Sequence, residues 1–284
     1  MGVWGLTGAL LLVAAAAGVG VGLWTSAADR RHAAALAERL LEPAGPVARY
    51  DPAMVADLPD IAQRYFAAAL APGTPLHRQV RLRMEGDFIM NGTPRPMQAR
   101  QVLAPGRGFV WEAEIGRGPM GFAGSDGWEA GTDSWTKFWL MGVVPLARLR
   151  GGADHARAAA TRGLVEAIWV PAALLPQNGA VWQALGPDVA EIGFPAFPDI
   201  APLQLTLDAK GLPVAVATMR WSDANADRSY RLQPFGGRLA GHAAHDGTTI
   251  PTEVEIANLF GTDEEAVFFI GRLTAVDFGP GERP

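Results

Sequence analysis

The chain has 284 residues, 49% of them hydrophobic and 19% charged, a composition too apolar for disorder and sufficient for one large domain or two small ones. A formal net charge of −5 with no extended Lys/Arg patch argues against nucleic acid as a partner, because phosphate affinity comes from clustered cations. The absence of cysteine excludes disulfides, thiolate metal sites and cysteine nucleophiles, and leaves the compartment open.

Residues 2–28 carry no charged side chain, and a helix of about 20 apolar residues crosses the ~30 Å hydrocarbon core. Trp4 and Trp24 stand roughly one hydrocarbon thickness apart at about 1.5 Å per residue, where interfacial aromatic anchors belong. A cleaved signal peptide is the competing reading, with Thr25-Ser26-Ala27 as a passable cleavage site. It requires a basic n-region and a shorter apolar core, and both are missing. The preferred reading is a single-pass anchor in the inner (cytoplasmic) membrane. Arg30, Arg31 and Arg39 follow the span and nothing basic precedes it, so the positive-inside rule places the soluble part in the cytoplasm. Ala14, Gly18 and Gly22 form a small-xxx-small stripe that an Ala/Gly-rich composition already explains.

Residues 29–41 read as an Ala-rich helix ended by Pro43 and Gly45, a juxtamembrane stalk. A second helix follows Pro59, with Ile61, Tyr65, Ala69 and Leu70 at helical spacing, and is expected to pack against the domain beyond it. After Thr74 the period becomes two. Val80, Leu82 and Met84 alternate with Arg81, Arg83 and Glu85, and Asn91-Gly92 makes a hairpin turn toward a strand over 97–103. Phe109, Trp111, Ala113 and Ile115 form one inward face, Asp126-Gly127 is read as a second hairpin turn, and a strand covers 135–140. A helix over 153–170 interrupts the strands, with Leu164, Val165, Ile168 and Trp169 on one face and Pro171 as its stop. Strands resume around 203–207, 214–221, 230–232, 238–242, 253–256 and 266–278. The expected organisation is an anchor (1–28), a helical stalk and packing helix (29–73), and an antiparallel β domain (74–284) with the helix 153–170 inserted. The fold class is α+β: one curved antiparallel sheet, a half-barrel, wrapping a central helix.

Several stretches carry a resemblance. They are Arg64-Tyr65-Phe66, Gly108-Phe109-Val110-Trp111, Glu166 with Trp169, Pro171, Ala173-Leu174-Leu175-Pro176 and Trp182, Ile250-Pro251-Thr252, and Phe260-Gly261-Thr262-Asp263. From about residue 45 onward the chain resembles a bacterial family of membrane-anchored proteins of unknown function, with Trp-x-Pro-x-Ala-Leu-Leu-Pro as the most specific part. The fold of that family is similar to the half-barrel of the lipoprotein carriers LolA and LolB, and fold alone assigns no activity.

Seven Trp lie beyond the anchor, many for such a domain. A sheet curved round one helix can leave an apolar cavity, with Trp111, Trp128, Trp135, Glu166, Trp169 and Trp182 as candidate lining for a hydrophobic or lipid-like ligand. The alternative is that these indoles fill the core. Glu166, if buried, has acid/base potential, but Arg162 stands one turn earlier as its ion-pair partner. His242, His245 and Asp246 are the only His cluster; the spacing fits no zinc motif, and Asp246-Gly247 reads as an exposed hairpin turn. Glu253 and Glu255 share a strand face near Asp263, Glu264 and Glu265, an acidic rim expected to meet Arg228, Arg231 or Arg238. No nucleophile elbow or phosphate loop is present, and no cofactor or metal is implied. The reading is a membrane-anchored binder of an apolar ligand, more than an enzyme. An enzyme using Glu166 or His242/His245, and a structural or assembly factor of the cell envelope, stand as alternatives.

Overall fold

The computed structural model describes residues 3–43 and 45–279, with side chains from Leu12 onward, so the Trp4 side chain lies outside the described residues. Helix α1 runs unbroken through Val3–Leu41. Among the described residues it is one helix long and apolar enough to cross a membrane. Residues 12–21 are exposed, whereas Gly22, Ser26, Asp29, Ala33, Leu36 and Leu40 are buried, at alternating spacings of four and three. That stripe lies on the outer face of the sheet, where Ala33, Leu36 and Leu40 join Ala104, Val110 and Trp135 in a small core of their own. The segment read as a stalk is therefore docked along its length. Arg107 closes its end by donating to the carbonyls of Arg39 and Glu42, at 3.0 Å each.

Helix α2 (Asp60–Ala69) buries Ile61, Ala62, Tyr65 and Phe66 and leads to the sheet. Strands β1 (Val80–Met90), β2 (Thr93–Ala104), β3 (Gly108–Ile115), β4 (Phe122–Glu129), β5 (Asp133–Leu140) and β6 (Val144–Arg150) form an antiparallel meander. Helix α3 (Ala153–Val165) then crosses the sheet and continues as a 3-10 turn over Glu166–Trp169. On the far side follow β7 (Val181–Ala184), β8 (Val189–Gly193), β9 (Leu203–Leu207), β10 (Pro213–Ser222) and β11 (Arg231–Ala240). The hairpin β12 (Ala243–His245) and β13 (Thr248–Ile250) stands apart, and β14 (Glu253–Asn258) and β15 (Ala266–Asp277) fill the remaining gap. The order is β6-β5-β4-β3-β2-β1-β15-β14-β11-β10-β9-β8-β7, thirteen strands with the last one paired to the first at the centre. α3 touches β3, β4 and β5 on one side and β10 on the other, strands far apart in that order, so the sheet bends round it. The result is an open half-barrel on a central helix, as expected.

Two hairpin turns match their sequence signals: Asn91 and Gly92 have φ of 49° and 74°, and Asp246 and Gly247 have 50° and 84°. Asp126-Gly127 does not form a turn. Both residues lie within β4, and the chain reverses over 130–132 instead. Gly127 is there for close approach, since a Cβ on it would stand 2.1 Å from the Trp135 ring. The two short strands expected at 230–232 and 238–242 are one, β11, whose Pro234 and Gly236-Gly237 interrupt the alternation without breaking the ladder. β6, β7 and β8 carry no clear alternating signal. β6 is an edge strand exposed along nearly its whole length.

Candidate functional site

Between α3 and the concave face lies a cavity of about 160 Å³, walled by Met84 and Phe88 of β1, Trp111 of β3, Ile168 and Trp169 of the 3-10 turn, and Phe268 and Phe269 of β15. That volume is close to the ~150 Å³ of an engineered apolar cavity that takes up benzene. A second, more polar cavity of about 200 Å³ lies beside it, reached by Thr136, His155, Ser222 and Tyr230. Asp126, Arg162 and Arg220 line both. They form a charged ridge between an apolar and a polar chamber.

Arg162 and Glu166 sit one helical turn apart, and the Arg162 Nε donates to Glu166 Oε1 at 2.7 Å. Its Nη1 reaches Asp126 Oδ2 at 3.1 Å, and its guanidinium lies 4.7 Å from the Phe109 ring centre and 5.2 Å from that of Trp111. Asp126 faces inward because it pairs with Trp111 across β3 and β4 and so shares that residue's face. Gln101 donates to the other oxygen of Glu166 at 2.5 Å. Arg220, on the inward face of β10, donates from Nε to Ala158 O at 3.2 Å and stacks 4.7 Å over Phe235. Its terminal nitrogens meet no protein acceptor among the described residues. Burial first, and then the facing Arg162, lower the Arg220 guanidinium to about 10, so it stays charged at neutral pH. Burial pulls Arg162 the same way, but Glu166 and Asp126 more than reverse this and hold it above its ordinary value.

The polar demand here is not fully met. Trp111 Nε1, Gln101 Oε1 and Asp126 Oδ1 are buried without a hydrogen-bond partner. Leaving a buried polar group unpaired costs about 1–3 kcal/mol each. One donor and two acceptors therefore face the ridge with capacity to spare, beside the free end of Arg220. The arrangement suits a molecule with a polar group at the ridge and an apolar portion against Phe88, Trp169 and Phe268.

Of the residues singled out from the sequence, Trp111, Glu166 and Trp169 meet at this cavity. Trp128 instead packs against Gly163 and Phe197, Trp135 lies under α1 and borders only the polar cavity, and Trp182 packs tilted against Tyr65 and edge-to-face against Phe66. The indoles of Trp135, Trp169 and Trp182 donate to Ser125 Oγ, Pro251 O and Leu174 O. Glu166 is held by Arg162 and Gln101. His242 bonds the Pro213 carbonyl at 2.8 Å, His245 is on β12, and no group of three His, Asp or Glu suited to a metal ion occurs among the described residues. Of the acidic rim, Glu255 lies opposite Arg238 in register and joins it at 2.9 Å, and Glu265 reaches the same arginine at 2.6 Å, whereas Arg231 pairs with Asp227. Sequence reasoning missed Gln101, Asp126 and Arg220 as site residues. The available signal was parity: Gln101 is in phase with Met97, Ala99 and Leu103, and Arg220 with Val216 and Thr218, all on an inward face.

Three solved structures resemble the chain in fold. A LolA superfamily protein from Nitrosomonas europaea is 14% identical with a TM-score of 0.41, over 76% of this chain and 90% of that one. A DUF1329 family protein from Desulfovibrio piger is 9% identical with a TM-score of 0.43, over 76% and 90%. A candidate outer membrane lipoprotein-sorting protein domain from Vibrio parahaemolyticus is 12% identical with a TM-score of 0.41, over 79% and 93%. No curated protein matches the chain. Residues 48–270, everything from just after α1 to midway along β15, match a family of unknown function, and the chain belongs to that family, DUF6544.

Proposed function

We propose that the protein is a membrane-tethered binder of a small amphipathic, lipid-like molecule, held in the cavity between α3 and the sheet. The observation that carries this reading is the ridge of Asp126, Arg162 and Arg220 between an apolar and a polar chamber, with Trp111 Nε1, Gln101 Oε1 and Asp126 Oδ1 unpartnered beside it. The apolar part of the ligand that enters is short, since about 160 Å³ takes roughly one benzene's volume. A longer chain extends out past Phe88 and Phe268. In this reading α1 is a single span in the inner membrane with the domain on the cytoplasmic side, which Arg30, Arg31 and Arg39, all exposed, support.

Mass spectrometry of lipids extracted from the purified full chain tests this. Wild type should retain one species in stoichiometric amount. Ile168→Trp, which fills the cavity, and Arg220→Met, which removes a cation from the ridge, should lose that species while keeping the bulk lipid that surrounds α1. A wild-type extract that contains only bulk lipid, indistinguishable from both variants, refutes the proposal.

A further inference from the structure

α1 is not attached to the domain by a flexible link. Ser26 Oγ donates to the Gly142 carbonyl at 2.7 Å, and Asp29 takes Lys137, Arg148 and the Trp139 indole at 3.2 Å each. Gly22 lies so close to the Val143 carbonyl that a Cβ would stand 2.4 Å from it. The turn between β5 and β6 is thereby fixed beside helix residues 22–26. Immediately beyond, α1 continues through residues 3–21, of which 12–21 are exposed, roughly 28 Å of helix at about 1.5 Å per residue. That is nearly the ~30 Å of a hydrocarbon core.

The strand registers show what else lies at that level. Leu140 pairs with Val144, Phe122 with Leu140, Ile115 with Phe122, Met97 with Ile115, and Met90 with Thr93. The turns at 91–92, 116–121 and 141–143 therefore share one end of the sheet, the end from which α1 departs. Each carries or adjoins an exposed methionine: Met141 is 71% exposed, Met120 66% and Met90 37%, with Trp24 of α1 at 70%. In the same six-strand meander the turns at the opposite end, 105–107 and 130–132, expose no large apolar side chain; at that end of the far half of the sheet Leu185 is 47% exposed. Met141 itself has φ of 52° in a turn completed by Gly142 at 70°, where the other two such turns use Asn91-Gly92 and Asp246-Gly247. A methionine at a left-handed turn position is unfavourable for the backbone and for solvation alike, and such an outlier points to a role. Arg117, exposed beside Met120, adds a cation suited to anionic headgroups.

We infer that this end of the sheet rests on lipid: Met141 and Met120, with Trp24, occupy the interfacial layer of the bilayer that α1 spans, so the domain lies against the membrane surface. The inference rests on the anchor reading of α1 and is independent of what the cavity holds. Phe88 and Phe268, half-buried at the rim of the cavity, stand at the same end of the sheet.

The absence of native cysteine makes the test direct. Single variants Met141→Cys, Met120→Cys and, at the opposite end, Lys210→Cys are spin-labelled in the full chain and placed in nanodiscs of phosphatidylethanolamine and phosphatidylglycerol. Accessibility to oxygen, which partitions into lipid, is compared with that to a water-soluble nickel chelate. The expected result is a several-fold higher oxygen-to-nickel ratio at 141 and 120 than at 210. Equal ratios at all three, in protein that co-elutes with the discs, overturn the inference and leave the anchor standing. Protein that does not associate with the discs overturns both. Labels at 141 and 120 shielded from both reagents identify a protein surface as the occupant and overturn it as well.

Discussion

Arg162 is the hub of the concave face, clamped between Asp126 and Glu166 with two aromatic rings against its guanidinium. Removing it while keeping both carboxylates leaves two negative charges without compensation in a poorly solvated place. Arg162→Met should therefore destabilise the fold by roughly 2–4 kcal/mol, somewhat under the ~3–5 of fully buried pairs, because its partners keep some solvent contact. A triple variant adding Asp126→Asn and Glu166→Gln should recover most of that loss in urea denaturation; no recovery would show that the charges are not the cause. Gly127→Ala drives a methyl into the Trp135 ring and should cost about 1–3 kcal/mol. In a double-mutant cycle Trp135→Leu should relieve that cost, and strict additivity would contradict the contact. At this scale the sequence is half legible. The Arg162–Glu166 pair follows from helical spacing, whereas the role of Gly127 depends on a ring across the strand, and Asp-Gly reads locally as a turn.

Beside the β5–β6 turn the docking of α1 centres on one carboxylate, Asp29. Burial would raise Asp29, but hydrogen bonds and charge from Arg148 and Lys137 outweigh it and hold the carboxyl below its ordinary 3.8. A group depressed in the folded state contributes its full stabilisation above the unfolded value and loses it as pH falls through the lower folded value. Hydrogen exchange in the 141–150 segment, slow at neutral pH, should accelerate as pH drops below about 3.8, after correction for intrinsic exchange. Asp29→Asn should show fast exchange already at neutral pH, since Lys137, 6% exposed, loses its counter-charge. Unchanged exchange in that variant would remove the pair from the docking mechanism. The long N-terminal helix was legible because residues 2–28 are apolar and carry no charge. The docking stripe was not, because Gly22, Ser26 and Asp29 are half of it and look apolar to no scale; their meaning lies in Val143, Gly142 and Lys137, more than a hundred residues away. β6 was invisible for a related reason, being an edge strand with little to bury.

Across the whole molecule, the first and last strands are neighbours at the middle of the sheet, where β1 pairs with β15 and β15 with β14. Deleting residues 266–279 therefore does not trim an edge but cuts the sheet in two. The truncated chain should lose its cooperative thermal transition by circular dichroism, while deletion of β7 and β8 at the edge should weaken the transition without abolishing it. Equal effects would contradict the strand order. Alternation revealed the strands, and the inserted helix hinted at a crossover. The β1–β15 pairing was illegible, because nothing local in Val80–Met90 names a partner almost two hundred residues downstream. That pairing has a consequence during synthesis. The 176-residue interval between the end of β1 at 90 and the start of β15 at 266 takes about 10–35 s to translate at ~5–20 residues per second. For that time a long edge of the first half-sheet stands unpaired, open to pairing with neighbouring nascent chains. A ribosome-bound chain ending before residue 266 should therefore recruit holding chaperones, and one extended past 279 should release them.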